Sequence, residues 1–108
     1  MAHDPIVIVG SARTPMGGMM GAFSTVTASE LGGAAISAAI EGSNLDKSAV
    51  DEVLMGNVLS AGQGQAPARQ AGFHAGLDKG VPAVTLNKMC GSGMKAVMMA
   101  HDQLRAEN

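Results

Sequence analysis

The sequence predicts an α/β fold in which parallel strands alternate with helices. Three short apolar runs rich in β-branched residues, at positions 6–9, 53–59 and 81–87, are each followed by a segment that favours a helix. This alternation is typical of a parallel sheet with right-handed crossovers. Hydrophobic residues make up 46% of the chain but aromatic residues only 2%, and with 15 glycines we expect elements that pack at close range. A chain of 108 residues holds at most one domain.

The first strand and the first helix have clear boundaries. Residues 6–9 lie between Pro5 and Gly10, and their continuous β-branched character predicts a central strand covered on both faces. Thr27 and Glu30 form a capping box, which predicts a helix from residue 27 to about residue 41, with Gly42 ending it. We expect this helix to be largely buried, because Leu31, Ala34, Ala35 and Ala38 share one face and Ile36 and Ile40 widen the apolar surface on the other side.

The remaining elements follow in the same order. A short helical turn is predicted at 45–50, a strand at 53–59, a helix at about 67–76, a strand at 81–87 and a helix at 93–107. The last helix is apolar on nearly all sides at its start, which predicts that it is buried. Its apolar side chains include Met94, Val97 and Met98.

Composition limits the classes of partner and the compartment. A formal charge of -2 and a pI near 5.8 give no basic field for nucleic acid or for an anionic membrane. A single cysteine excludes an intrachain disulfide, and the N-terminus lacks the basic start of a signal peptide, so we expect a cytoplasmic protein. No Cys/His spacing or carboxylate cluster in the sequence suggests a metal site.

Cys90 lies at the predicted junction between the last strand and the last helix, and we interpret it as a nucleophile. The N-terminus of a helix offers unpaired amide groups and the positive end of the dipole, which favour an anion such as a thiolate. The thiolate is the reactive form of cysteine. Gly91 and Gly93 have no Cβ and would let a substrate carbonyl approach both the sulfur and the backbone amides.

Two other interpretations of this segment stay open on the residues alone. A free cysteine is often simply a small packing residue. Gly91, Gly93 and Ala96 also fit the pattern G-x-G-x-x-G/A of dinucleotide-binding turns, which follows a strand and opens a helix. That pattern requires an acidic residue about 20 positions later, after another strand, and the chain stops at Asn108.

The histidines offer no obvious base for Cys90. His101 lies eleven positions along the same predicted helix, roughly 16 Å away at ~1.5 Å per residue. His3 is close to the N-terminus, and His74 lies on another helix at an unknown distance. We expect all three to be ordinary histidines.

Four segments of the chain resemble thiolases, and they occur in the order found in that family. They are residues 11–15 (Ser-Ala-Arg-Thr-Pro), 21–24 (Gly-Ala-Phe-Ser), 62–71 (Gly-Gln-Gly-Gln-Ala-Pro-Ala-Arg-Gln-Ala) and 87–97 (Asn-Lys-Met-Cys-Gly-Ser-Gly-Met-Lys-Ala-Val). The resemblance covers essentially the whole chain but only the start of a thiolase. It implies that residues 1–108 are an incomplete domain, the first part of the N-terminal half of a layered fold with a five-stranded mixed sheet in each half.

The resemblance also implies a chemistry. Cys90 would carry an acetyl group as a thioester, with its backbone N–H in the oxyanion hole, in a reversible condensation of two acetyl-CoA to acetoacetyl-CoA and CoA. The surroundings of Cys90 are more similar to the acetyl-CoA acetyltransferase type than to the 3-ketoacyl-CoA thiolases of fatty-acid degradation, which are the alternative. CoA thioesters would be substrates, with no bound cofactor, and a homotetramer is implied.

In thiolases, a histidine and a second cysteine complete the site, and the segments that carry them are missing from this chain. We therefore expect the 108 residues alone to be inactive. The loop that holds Gln65 lies near a neighbouring subunit's active site in thiolases, although an ordinary turn residue is the simpler interpretation of Gln65.

Overall fold

The computed structural model describes residues 5–106, so the predictions about His3 and about the helix end at residue 107 lie outside the described residues. Its helices are α1 (Ala28–Ser43), α2 (Pro67–His74) and α3 (Ser92–Arg105), and a short 3₁₀ turn spans Lys47–Ala49. Two strands, β1 (Val53–Gly56) and β2 (Ala83–Leu86), pair in parallel, with Val53 opposite Ala83 and Gly56 opposite Leu86. Helix α2 makes the crossover between them, and the predicted α/β class is confirmed.

The sheet separates two helical layers. On one face, Val53 forms a core with Ala68, Ala75 and Leu77 of α2 and the residues after it. Helix α1 packs on α2, and a Cβ at Gly32 would lie 3.4 Å from Cε of Met55. Helix α3 covers the other face, where a Cβ at Gly56 would lie 2.6 Å from the carbonyl carbon of Ser92. Alternate residues of β1 thus point to opposite layers, as a strand requires.

The predicted N-terminus of α1 is confirmed, and its C-terminus lies further on than predicted. The Thr27 Oγ1 accepts a hydrogen bond from the amide of Glu30 at 3.2 Å, and the Thr27 hydroxyl donates to the Glu30 carboxylate at 3.1 Å. The helix continues through Gly42 to Ser43 and ends where Asn44 adopts a left-handed conformation with φ of 60°. Asparagine tolerates this conformation, so it and not Gly42 ends the helix.

The prediction that α1 is largely buried is right only in part, since Ile36 and Ile40 pack against the core but much of the other predicted face does not. Ala34 and Ala38 are exposed, and the buried positions are Ser29 and Gly33. Gly33 lies against the backbone and Cβ of His74, with no space for a side chain of its own. The small residue decides which face packs, because α2 can approach closely only where a Cβ is missing.

The prediction of a central strand at residues 6–9 is also wrong for the described structure. No strand is assigned there, and Ile8 is 80% exposed. Strand pairing requires a neighbour that supplies a hydrogen-bond ladder, and the sheet of residues 5–106 has only β1 and β2. Gly10, just after this run, lies close to α1, where a Cβ would meet the Ala39 carbonyl oxygen.

Helix α3 is less buried than predicted. Ser92 and Ala96 are its buried residues, whereas Met94, Val97 and Met98 are 74%, 58% and 52% exposed. Its apolar start predicts cover on several sides, but within residues 5–106 it packs mainly on β1. No helix in the described range has the length and apolarity needed to cross a membrane.

Candidate active site

Cys90 lies in a short turn between β2 and α3, as predicted, with an exposed and free thiol. Helix α3 starts at Ser92, one residue earlier than predicted, and Gly91 is its N-cap. The cysteine therefore precedes the N-cap by one residue. The first amides of α3 and the positive end of its dipole lie beside it, which is an environment that favours an anion.

Met89, immediately before Cys90, adopts a left-handed conformation with φ of 49°. This conformation is strained for a residue with a Cβ. The Asn87 Oδ1 accepts a hydrogen bond from the Met89 amide at 2.9 Å, and the Met89 carbonyl accepts one from the Ser92 hydroxyl at 2.6 Å. The side chains on either side of Met89 thus hold both of its peptide groups.

Within residues 88–92, one backbone N–H has no hydrogen-bond acceptor. The amides of Gly91 and Ser92 donate to the carbonyls of Lys88 and Met89 at 3.0 and 3.1 Å. The Lys88 amide donates to the Ser92 hydroxyl at 2.8 Å. Among the described residues, the Cys90 amide has no acceptor. A free N–H next to an exposed thiol is the arrangement that a thioester carbonyl needs when its oxygen becomes negative.

The space next to Cys90 is open. A Cβ at Gly93 would meet no atom within 4 Å, and the nearest atom to a Cβ at Gly91 is the Lys88 carbonyl oxygen at 3.5 Å. These glycines are therefore not required for packing within residues 5–106. The open surface agrees with the prediction that they leave room for a substrate.

A second loop lies next to the Cys90 turn, and sequence reasoning missed its connections. The Asn87 Nδ2 donates to the Val58 carbonyl in the loop after β1, at 3.5 Å. Gln70 holds the same loop from α2, because its Nε2 donates to the carbonyls of Gln63 and Gln65 at 2.8 and 2.6 Å. The Gln65 backbone is thus fixed in position, while its side chain is exposed.

Next to this loop, a cavity of about 60 Å³ lies between α1, the end of β1 and α2, and Ser29, Asn57 and Gln63 are among the residues that line it. The Asn57 Oδ1 accepts from Gln63 Nε2 at 3.1 Å, and the buried Asn57 Nδ2 has no partner among the described residues. Turning the amide over would bring two donors face to face, so the hydrogen bond fixes its orientation. The Ser29 hydroxyl donates to Gln70 Oε1 at 3.4 Å and links the cavity to α2.

Neither described histidine contacts Cys90. His101 lies 3.2 Å from the Asp102 carboxylate, and His74 packs on Gly33 at the end of α2. Within residues 5–106, no three His, Cys, Asp or Glu side chains converge as metal ligands would. The described residues thus bring together an exposed thiol and an unpartnered backbone N–H, and no described histidine contacts them.

Residues 6–108 match the family model described as "Thiolase, N-terminal domain". The chain belongs to the thiolase family. It is 53% identical over 100 residues to acetyl-CoA acetyltransferase 2 of Arabidopsis thaliana, an alignment that covers 93% of this chain and 25% of that protein. It is 52% identical over 101 residues to mitochondrial acetyl-CoA acetyltransferase B of Xenopus laevis, covering 94% of this chain and 24% of that protein.

The fold agrees with that of a solved thiolase. The Acat5 thiolase of Ascaris suum, in complex with coenzyme A, is similar to this chain with a TM-score of 0.89 and 37% identity, over 92% of this chain and 26% of that one. The predicted thiolase-like layered fold is therefore confirmed, and the family assignment argues against the dinucleotide-binding alternative. The chain spans about a quarter of the length of these relatives.

Proposed function

We propose that this chain provides the nucleophile of a thiolase that condenses two acetyl-CoA to acetoacetyl-CoA and CoA, reversibly. The observation that supports this most is the pairing of an exposed Cys90 thiol with its own unpartnered amide at the start of α3. A nucleophile and an oxyanion donor on one residue suit acyl transfer. The names of the relatives, which are acetyl-CoA acetyltransferases, support the same substrate.

The first step forms an acetyl-enzyme. The Cys90 thiolate attacks the carbonyl carbon of acetyl-CoA, and the Cys90 N–H donates to the oxygen while that atom carries negative charge. The carbon–sulfur bond to CoA then breaks, and CoA leaves as its thiolate or, after protonation, its thiol. The acetyl group remains on Cys90 as a thioester.

The second step consumes the acetyl-enzyme. Loss of a proton from the methyl group of a second acetyl-CoA gives a carbanion, which attacks the Cys90 thioester. A carbon–carbon bond forms, the bond from the acetyl carbon to the Cys90 sulfur breaks, and acetoacetyl-CoA leaves. The chain has no second thiol and no histidine in contact with Cys90 among its described residues, so the proposal assigns these proton transfers to residues outside it.

The proposal can be tested in a completed enzyme, in which residues 6–108 of this chain replace the matching segment of the Arabidopsis relative. We expect this enzyme to cleave acetoacetyl-CoA with CoA, and Cys90→Ser to abolish the cleavage. Activity on longer 3-ketoacyl-CoA substrates, at a kcat/KM above that for acetoacetyl-CoA, would instead favour the degradative type. A correctly folded completed enzyme without either activity would contradict the proposal.

We further propose a homotetramer in the cytoplasm, with CoA thioesters as substrates and no bound cofactor. The lone cysteine, which fits a reducing compartment, supports the cytoplasm, although the Xenopus laevis relative is mitochondrial by name. Light scattering of the completed enzyme measures the oligomeric state. A fluorescent fusion imaged in the source cells tests the compartment, and co-localisation with a mitochondrial marker would contradict it.

A further inference from the structure

We propose that Asn87 and Ser92 are positioning residues for acyl transfer, because together they hold Met89 in the left-handed conformation that determines how Cys90 leaves the turn. This inference rests on the proposed function of Cys90. It adds two side chains, neither of which is the nucleophile, to the set on which the reaction depends.

Met89 is held in a strained conformation next to Cys90. Its φ of 49° is unfavourable for any residue with a Cβ, so a chain free of other contacts would relax it. Relaxing it would turn the Met89–Cys90 peptide group and change the direction of the Cys90 N–H. Strained residues persist where surrounding contacts hold them, and here they lie next to the reacting group.

Asn87 holds the N-terminal peptide group of Met89. Its Oδ1 accepts from the Met89 amide at 2.9 Å, while its Nδ2 reaches the Val58 carbonyl at 3.5 Å. One amide side chain therefore fixes the turn and ties it to the loop after β1. Side-chain hydrogen bonds from Gln63 and Gln70 fix the loop after β1, so the Cys90 turn is tied to a loop that is itself held in place.

Ser92 holds the C-terminal peptide group. Its hydroxyl donates to the Met89 carbonyl at 2.6 Å and accepts from the Lys88 amide at 2.8 Å. Only 4% of Ser92 is exposed, so its hydroxyl is largely shielded from water. Because both peptide groups of Met89 are held and the other amides of residues 88–92 are used, the Cys90 N–H is left free for a substrate oxygen.

The test uses the completed enzyme and four variants: Asn87→Ala, Asn87→Asp, Met89→Gly and the double variant Asn87→Ala/Met89→Gly. Removal of the Asn87 side chain should lower kcat by about 10- to 100-fold, the range seen when a reacting group is displaced by roughly 1 Å, with KM for acetoacetyl-CoA little changed. Asn87→Asp keeps the acceptor for the Met89 amide and should retain the turn, but its negative charge should move the pH–rate profile to higher pH.

Met89→Gly separates positioning from general stability. Glycine adopts positive φ without strain, so the double variant should recover most of the kcat that Asn87→Ala loses. Asn44→Ala is the matched control, because it also removes an asparagine at a left-handed turn, but at the end of α1. It should lower the melting temperature and leave kcat at the parental value.

Each outcome decides the proposal. Loss of kcat in Asn87→Ala with recovery in the double variant supports it. A parental kcat in Asn87→Ala, or a loss that Met89→Gly does not reverse, would overturn it even if Cys90 is the nucleophile. A parent enzyme whose Cys90 takes up no acetyl group would overturn the proposed function itself, and the two failures are therefore distinct.

Discussion

In the turn before α3, the position of Cys90 could be predicted from the sequence, but the backbone conformation of Met89 could not. Cys90 could be placed at a strand–helix junction because the runs on either side have clear composition. The left-handed conformation of Met89 could not be predicted, since methionine has no preference for it. A signal did exist in Asn87, because an asparagine two residues before a turn position often accepts from that residue's amide.

Ser92→Ala should remove a hydrogen bond that holds the turn before α3. Loss of the hydroxyl leaves the Lys88 amide without its acceptor, and because Lys88 is exposed the cost should stay below the about 1–3 kcal/mol of a buried unsatisfied donor. Hydrogen exchange of the completed enzyme, read on a peptide that covers residues 87–93, should show faster exchange at Lys88. Unchanged protection would contradict the role given to the Ser92 hydroxyl.

For the helices and strands, the local sequence pattern predicts where an element begins but not which of its faces is buried. The capping box at Thr27 fixes the start of α1 because it depends only on neighbouring residues. The buried face of α1 depends on α2, and the closeness of Gly33 to His74 could not be read from helical periodicity. The predictions of a strand at residues 6–9 and of a buried α3 were wrong for a related reason. A strand needs a partner strand and an apolar helix needs neighbours that cover it, and both depend on residues far away in the sequence.

Gly56 allows the close contact between β1 and α3. Its missing side chain lets β1 meet the start of α3, where a Cβ would lie 2.6–2.8 Å from backbone and side-chain atoms of Ser92 and Gly93. Backbone cannot move aside as a flexible side chain can, so Gly56→Ala should destabilise the completed enzyme by about 1–3 kcal/mol and lower kcat by shifting the Cys90 turn.

Gly42→Ala is the control for Gly56→Ala. Gly42 lies inside α1, and a Cβ there would meet nothing within 4 Å, so alanine should stabilise the helix by up to about 1 kcal/mol. Urea unfolding and steady-state kinetics measure both variants. Equal effects of the two substitutions would contradict the close β1–α3 contact.

The 3₁₀ turn gives a pH-dependent prediction. The Ser48 amide donates to the Asp46 carboxylate at 2.9 Å, and this hydrogen bond lowers the pKa of Asp46 below its ordinary value. A lowered pKa in the folded state contributes stability above the unfolded pKa of about 3.9, and the contribution is lost as pH falls through the lower folded value. An NMR titration should therefore place Asp46 below the ordinary aspartate range, and Ser48→Pro, which lacks the amide, should return it there.

The whole molecule has more surface than a folded chain of its size. Its accessible area is 7771 Å², whereas a compact monomer of 10.8 kDa exposes about 5,500 Å². Its radius of gyration is 14.4 Å, against about 13 Å expected for this length. The excess includes apolar side chains of residues 7–9 and of α3, which in a complete thiolase we expect further layers to cover.

We predict that the 108-residue chain alone does not turn over acetoacetyl-CoA. It has the proposed nucleophile, Cys90, but no second thiol, and its described histidines do not contact Cys90. It should also associate through the exposed face of Met94, Val97 and Met98. A thiolysis assay with light scattering and circular dichroism checks both statements. A cooperatively folding monomer with turnover near that of a full thiolase would refute them, and His74 would then be the first base to test.

The proposed role of Cys90 is to accept the acyl group. The direct measurement is to mix the completed enzyme with radiolabelled acetyl-CoA, stop the reaction with acid, and locate the label by peptide mass spectrometry. We expect one acetyl group on the peptide that contains Cys90, released by added CoA and absent in Cys90→Ser. Label on a different residue, or full thiolysis activity in Cys90→Ala, would contradict the claim.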